Sequence, residues 1–153
     1  MIGPGCGLFI SKQGSIDCAG RIILNDRAVL QTQGEANISI GERLYVNQYT
    51  RIIAHEGITI GKNVTIGQQV TILDHDHRYT YVGDDLQLDG YVTAPITIGN
   101  NVWIADKATV LKGVTIGDNV VVGANTLVHK DVPPNCVVGG VPFKILKQLK
   151  CKM

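Results

Sequence analysis

Aliphatic residues recur at every sixth position over two stretches of the chain. In the downstream stretch these residues are Ile98, Ile104, Val110, Ile116, Val122 and Val128. The upstream stretch has the same spacing, clearest at Ile60, Ile66 and Ile72 and weaker at Ile40, Val46 and Ile52. A short strand and a tight turn repeat with this period, so that three units close one triangular coil of about eighteen residues. The pattern therefore predicts an all-β parallel β-helix.

Other regular structures do not fit this period. An amphipathic helix needs apolar residues at i, i+3, i+4 and i+7, whereas antiparallel strands need strict alternation and hairpin dipeptides such as Asn-Gly. The composition agrees with a β-helix, because 44% of the 153 residues are apolar, only 5% are aromatic and 18 are glycine. Aliphatic side chains then fill the core and glycines serve the turns.

The repeat is interrupted between Ile72 and Ile98, and residues 74–94 are predicted to form one long extruded loop. This segment is polar and acidic and contains three of the five tyrosines together with His75 and His77. A long insertion in a tight solenoid is typical of a functional loop. A smaller irregularity, a bulge of two residues, is expected near His55, since the aliphatic spacing there is eight.

After the last coil, lysines are interspersed with apolar residues, and this pattern predicts a short amphipathic helix that packs back on the coils. We therefore expect a β-helix domain at residues 1–141, with an irregular N-terminal coil and the loop at 74–94. A basic helical tail is expected at residues 142–153.

Charge and cysteine content narrow the function classes. The formal net charge is +1, so no strong field attracts nucleic acid. Four scattered cysteines show no zinc-binding spacing and indicate free thiols in a reducing compartment; they are Cys6, Cys18, Cys136 and Cys151. Neither a membrane span nor a signal peptide is visible, so we expect a cytoplasmic protein. Because no zinc-binding spacing is present, we expect no metal.

Four segments in order resemble the hexapeptide-repeat acyltransferases: residues 60–77, 98–105, 128–135 and 139–147. The first is similar to galactoside and maltose acetyltransferases, and Asp76-His77-Arg78 is similar to a step in streptogramin acetyltransferases. The resemblance covers about residues 40 to 149. It implies left-handed coiling, acetyl-CoA as cosubstrate, and a homotrimer with its sites between neighbouring subunits.

The resemblance also implies roles for individual residues. His77 matches the general base, and imidazole titrates near the pH at which a hydroxyl has to lose its proton. Asn47 matches an asparagine that stabilises the transition state. Contacts with the acceptor are expected from the loop residues His75, Tyr79 and Asp84. Contacts with CoA are expected from Trp103, Ala105, Ala124, His129, Lys130, Lys144 and Lys147. Asp106 departs from the serine that relatives often carry.

The acceptor is open at this point. The resemblance favours O-acetylation of a sugar or polysaccharide precursor, and the alternative is a detoxifying streptogramin- or chloramphenicol-type acetyltransferase; N-acetylation of an amino sugar also stays open. A γ-class carbonic anhydrase on the same fold is disfavoured, because His75 and His77 are too close together for its three-histidine zinc site. A non-catalytic β-helix scaffold explains the repeat but not His77 in its motif.

Overall fold

The computed structural model describes residues 1–150 and contains twenty β-strands and no helix in that range. The first ten are β1 (Gly7–Phe9), β2 (Ser15–Cys18), β3 (Ile22–Leu24), β4 (Val29–Thr32), β5 (Asn37–Ile40), β6 (Leu44–Val46), β7 (Arg51–Ala54), β8 (Gly57–Ile60), β9 (Val64–Ile66) and β10 (Thr71–Leu73). The others are β11 (His75–Val82), β12 (Asp85–Thr93), β13 (Ile96–Ile98), β14 (Trp103–Ile104), β15 (Thr109–Val110), β16 (Thr115–Ile116), β17 (Val120–Val122), β18 (Leu127–Val128), β19 (Cys136–Gly140) and β20 (Phe143–Gln148).

Three parallel sheets form the faces of a triangular prism. Face A has the order β3-β6-β9-β14-β17-β19, face B the order β1-β4-β7-β10-β15-β18, and face C the order β2-β5-β8-β13-β16. The chain passes from face C to A to B and back to C in every coil. Each strand therefore pairs with the strand one coil away, for example Ile98 with Ile60 and Ile116. This architecture confirms the predicted parallel β-helix and is consistent with its left-handed form.

The six-residue series lines the interior of the prism. Its members from Ile98 to Val128 are all at most 1% exposed, and each pairs with its equivalent in a neighbouring coil. The glycine after the inward residue has a steric reason. A Cβ on Gly99 would lie 2.4 Å from the Asp118 carboxylate and 2.9 Å from the Asp118 backbone nitrogen. Close stacking of the corners thus excludes larger residues at this position.

Asparagines stack at the corner between faces C and A. Asn63, Asn101, Asn119 and Asn135 all have φ between 54° and 59°, a conformation that asparagine tolerates better than most residues. Their side-chain amides are linked from coil to coil by hydrogen bonds of 3.0, 3.0 and 2.9 Å. This ladder satisfies polar groups where the backbone turns sharply, and it holds the coils in register.

The N-terminal region completes the prism although its sequence repeat is blurred. Val29–Thr32 and Asn37–Ile40 pair in register with the following coil. Ala28, Leu30 and Ile38 are fully buried between these strands and their neighbours. Small and aliphatic residues keep the inward positions here, while longer corners displace the six-residue spacing.

The interruption at residues 74–94 is a two-stranded antiparallel hairpin, β11–β12. Its two-residue connection, Gly83-Asp84, carries a positive φ of 63° at Gly83. Gly-Asp between two strand-forming segments is a known hairpin signal, and it identifies this turn in the sequence. The hairpin leaves the prism at the corner between faces B and C.

The predicted C-terminal helix is wrong. Phe143–Gln148 is strand β20, which pairs antiparallel with β19 at the end of face A. The open edge of β19 offers unpaired N–H and C=O groups, and hydrogen bonding to this edge outweighs the weak amphipathic pattern. Phe143 is buried against the last coil, whereas Leu146 is 66% exposed. The final residues 151–153 of the predicted tail, including Cys151, lie outside the described residues.

Candidate active site

Three histidines and one tyrosine lie together where the hairpin leaves the prism. The rings of His55 and His75 stack face to face, with centroids 3.5 Å apart and planes 19° apart. Tyr91 packs edge-on against both, at 4.4 and 5.5 Å. Its ring also lies 4.7 Å from that of His77, which faces it in the hairpin register. The structure therefore brings His75 and His77 into one aromatic cluster.

A buried carboxylate anchors this cluster. Asp74 is 0% exposed, and its oxygens accept the backbone N–H groups of His55 (2.8 Å), Glu56 (2.8 Å) and Gly57 (2.7 Å). The same carboxylate lies 3.2 Å from His75 Nδ1. Since a buried charge needs such donors, the corner at residues 55–57 is held to the start of the hairpin.

His77 is exposed at the base of the hairpin, and its neighbours on either side are tethered. Asp76 forms an ion pair with Lys112. Arg78 donates a hydrogen bond to the backbone carbonyl of Tyr91 at 3.3 Å. Within residues 1–150 the imidazole nitrogens of His77 have no hydrogen-bond partner. Both nitrogens are therefore free to form a hydrogen bond with a ligand.

The other two loop residues expected at the site lie further out. Tyr79 is exposed beyond the bulge that follows His77. Asp84 is at the hairpin tip, and seven residues of extended strand place it roughly 20 Å from His77. The hairpin of one chain does not bring Asp84 to the histidine cluster.

Asn47 lies at a different corner, between faces A and B. Its Oδ1 accepts hydrogen bonds from the Gln48 backbone N–H (2.9 Å) and from Asn25 Nδ2 (3.2 Å). Its own Nδ2 has no hydrogen-bond partner in the described part of the chain. The carbonyl end is thus fixed, and the two amide N–H donors are not used within the described part of the chain.

Two of the expected CoA residues share that A–B corner. Ala105 and Ala124 follow β14 and β17, in coils stacked beyond the one that holds Asn47. Trp103 points outward from face A between Thr65 and Val121, with 51% of its surface exposed. Two small residues at the A–B corner and an exposed indole on the adjoining face A therefore lie near one another in consecutive coils.

Asp106, beside Ala105, has a structural contact. Its Oδ1 accepts the backbone N–H of Gln68 at 2.8 Å and so links two coils. This contact gives the Asp106 carboxylate a structural role at the corner.

The remaining CoA candidates lie near the C-terminal end of the prism. His129 and Lys130 follow β18 at the B–C corner, and both pack against the ring of Phe143, each at 5.5 Å. Lys144 and Lys147 are exposed on β20. The three lysines and His129 therefore lie around one end of the molecule.

The two predicted catalytic residues thus lie at different corners of the prism. The hairpin histidines lie at the B–C corner, while Asn47, Ala105 and Ala124 lie at the A–B corner. Face B separates the two corners, and its four-residue strand β7 alone spans roughly 13 Å. Surface cavities of about 350 and 400 Å³ lie elsewhere, around Arg43 and around Phe9. One chain does not assemble all of these residues into a single pocket.

His55 was missed as a site residue in the sequence, although a signal for it is present. Ile52 pairs with Ile72 in the structure, so this coil is twenty residues long. His55 and His75 are also twenty residues apart and must therefore stack. The two-residue bulge after Ile52 indicated an irregular corner in the sequence, but it did not indicate that His55 contacts His75.

Stability should depend on pH through His55. Burial lowers the pKa of His55 below 6.5; neighbouring His75 and His77 lower it further, and Asp74 opposes them. The unfolded chain then binds more protons, so the stability that His55 contributes is present above pH 6.5 and is lost as pH falls through its folded pKa. We expect the melting temperature to fall less between pH 7 and pH 5 in His55→Phe than in the unmodified protein.

Thermal melts at each pH, followed by circular dichroism, check this expectation. The exposed His129 provides the control, because His129→Gln should follow the unmodified protein. Parallel curves for His55→Phe and the unmodified protein would show that protonation of His55 is not linked to folding.

Features of a metal site and of a membrane span were sought among the described residues. Within residues 1–150 no group of three or more His, Cys, Asp or Glu side chains is arranged to hold a metal ion. That part of the chain also contains no helix able to cross a membrane. Cys6, Cys18 and Cys136 are free thiols, and burial raises the pKa of Cys136.

Comparison with known proteins assigns the family. The profile described as "Bacterial transferase hexapeptide (six repeats)" matches residues 95–130. The putative lipopolysaccharide biosynthesis O-acetyl transferase WbbJ of Escherichia coli K12 is 33% identical over 147 residues, which cover 92% of this chain and 75% of that protein. The chain belongs to the hexapeptide-repeat acyltransferases. This membership confirms the family that the sequence motifs indicated.

Two further likenesses place the chain within this family. The galactoside O-acetyltransferase of Escherichia coli K12 is 43% identical over 115 residues, which cover 74% of this acyltransferase and 55% of that protein. The structure of a galactoside acetyltransferase in complex with coenzyme A superposes with a TM-score of 0.68 at 30% identity, over 89% of this chain and 65% of that one. The chain thus spans about half to two thirds of these galactoside acetyltransferases.

Proposed function

We propose that this acyltransferase moves the acetyl group of acetyl-CoA to a hydroxyl of a sugar or polysaccharide precursor, in a site shared by two chains of a homotrimer. Family membership supports acetyl transfer, and the names of the two Escherichia coli relatives support a glycan acceptor. The observation that carries the shared site is the division of the predicted residues between the A–B and B–C corners. Two neighbouring chains that face each other across these corners form one complete site.

In this proposal His77 is the general base. Its imidazole takes the proton of the acceptor hydroxyl while the oxygen attacks the thioester carbonyl carbon. The tetrahedral intermediate carries an oxyanion, and Nδ2 of Asn47 from the neighbouring chain donates to it. The carbon–sulfur bond then breaks, CoA leaves as the thiol with the proton from His77, and the acetyl ester is released.

His75 is the second candidate for the base, on a specific contact. Its Nδ1 lies 3.2 Å from Asp74 Oδ1, so the carboxylate orients the ring and leaves Nε2 as the basic nitrogen. His77 is exposed and lies in the motif that matches the general base. His75 instead lies beside the Asp74 carboxylate. Alanine variants of each histidine distinguish the two candidates.

The remaining predicted residues receive roles around this centre. Ala105 and Ala124 leave room for the pantetheine arm along the A–B corner, with Trp103 beside it. The lysines Lys130, Lys144 and Lys147, together with His129, are placed to meet the phosphates and adenosine of CoA. Tyr79 and Asp84 of the hairpin contact the acceptor, and the distant Asp84 does so from a neighbouring chain.

A thiol-release assay tests this function. With acetyl-CoA present, we expect protein-dependent release of CoA with at least one galactoside, maltoside or nucleotide sugar. The same panel includes chloramphenicol and a streptogramin, and turnover restricted to these would favour a detoxifying enzyme. If CoA does not raise the melting temperature of the protein and no acceptor is acetylated, the result favours a non-catalytic scaffold over acetyl transfer.

The oligomeric state is a separate test of the shared site. Light scattering should show a trimer.

A further inference from the structure

We propose that His55 is a positioning residue for the hairpin histidines: its imidazole holds the ring of His75, and through Tyr91 the ring of His77, in one orientation. This inference rests on the proposed function, in which a hairpin histidine takes the proton of the acceptor. His55 does not have to touch the acceptor, because its effect passes through rings that it contacts directly.

The first support is the shared anchor. The Asp74 carboxylate binds three consecutive N–H groups at residues 55–57 and also faces His75 Nδ1. Movement of the hairpin base relative to the corner would leave a buried charge without its donors, which is costly. The backbone of His55 and the ring of His75 are therefore parts of one fixed unit.

The second support is the continuous set of ring contacts. His55 stacks on His75 at 3.5 Å, and Tyr91 packs edge-on against both rings. The ring of His77 also contacts Tyr91, at 4.7 Å. Each ring removes rotamers that its neighbour would otherwise sample. Removal of the His55 ring would open a space beside His75 and Tyr91. Tyr91 would then be free to move, and His77 would no longer pack against a fixed ring.

The third support is electrostatic. The charged groups and titratable rings that face His55 are Asp74, His75, His77 and Tyr91. Burial keeps the pKa of His55 low, so near pH 7 the ring is neutral and places no second positive charge beside the histidine that receives the proton. A neutral flat ring is what a stacking role requires.

Three variants test the role. His55→Ala should lower kcat by about 10- to 100-fold, since a misplacement of about 1 Å can cost that much, while KM for acetyl-CoA changes less than about twofold. His55→Phe keeps a flat ring and should restore kcat to within about threefold. Gln33 occupies the same corner one coil earlier, next to Thr32, which pairs with Ala54, so Gln33→Ala is the matched control and should leave kcat unchanged.

A second readout does not depend on turnover. In proton–carbon NMR spectra, the ring signals of both His75 and His77 should shift in His55→Ala and return towards their original positions in His55→Phe. Unmoved His77 signals, or an unchanged kcat in His55→Ala, would overturn the proposal. Equal loss of kcat in His55→Phe and His55→Ala would also overturn it, because the imidazole itself would then be needed. Absence of turnover in the unmodified protein would count against the proposed function, and the NMR comparison would still decide the positioning role.

Discussion

Replacement of His77 by alanine should lower the rate of acetyl transfer by about 10²- to 10⁴-fold, the range that a positioned general base contributes. The side chain is exposed and is not part of the core, so the fold should persist. Binding of CoA should be unchanged, because the predicted CoA residues lie on other elements. Initial rates of thiol release, together with calorimetric titration of CoA, measure both quantities.

His75→Ala is the matched variant, since it changes the same residue type two positions away. If His77 is the base, His75→Ala should retain more activity than His77→Ala and lose it mainly through disturbed geometry. If His77→Ala keeps full turnover and His75→Ala loses it, the general base is His75, which faces Asp74. Equal activity in both variants and the unmodified protein would exclude a hairpin base altogether.

Two inactive variants should restore activity when they assemble into mixed trimers. Asn47→Ala removes an oxyanion donor and should cost about 10²- to 10³-fold, and His77→Ala removes the base. A shared site needs His77 from one chain and Asn47 from its neighbour. In trimers from equal co-expression, about one site in four then contains both intact residues. The purified mixture should reach roughly a quarter of normal activity, far above either parent.

The control for this experiment is the doubly substituted chain. Co-expression of Asn47→Ala/His77→Ala with His77→Ala supplies no intact base, so activity should stay at the level of the His77→Ala parent. If the mixture of the two single variants also stays at the parental level, each site is built within one chain. That result would contradict the proposal that each site combines His77 of one chain with Asn47 of its neighbour.

Much of the fold could be predicted because period six leaves few alternatives. Each inward aliphatic residue has to meet its equivalent in the next coil, and the buried series from Ile98 to Val128 does so. The hairpin histidines were also visible, because they interrupt that period. The tail was predicted wrongly as a helix, since lysines and apolar residues at Lys144 to Leu149 suit either element until the open edge of β19 is known.

The candidate site was only partly visible in the sequence. His55 lies twenty residues before its partner His75, and a reading by six-residue repeats does not connect them. Asp74 resembled the other acidic residues of the hairpin segment, yet it is the one fully buried carboxylate among residues 1–150. Burial and partner choice depend on which coil stacks on which, and this information is not local to any motif.

The sequence by itself determined the β-helix, the position of the segment that interrupts the repeat, and the family, because a strict spacing and ordered motifs are properties of the chain alone. Only the tertiary structure decided that Asp74 ties His55 to His75, that the tail is a strand, and that Asn47 and His77 lie at different corners. The physical reason is that stacking of coils converts a sequence separation of about twenty residues into direct contact. The same stacking places residues at neighbouring corners on opposite sides of a rigid face.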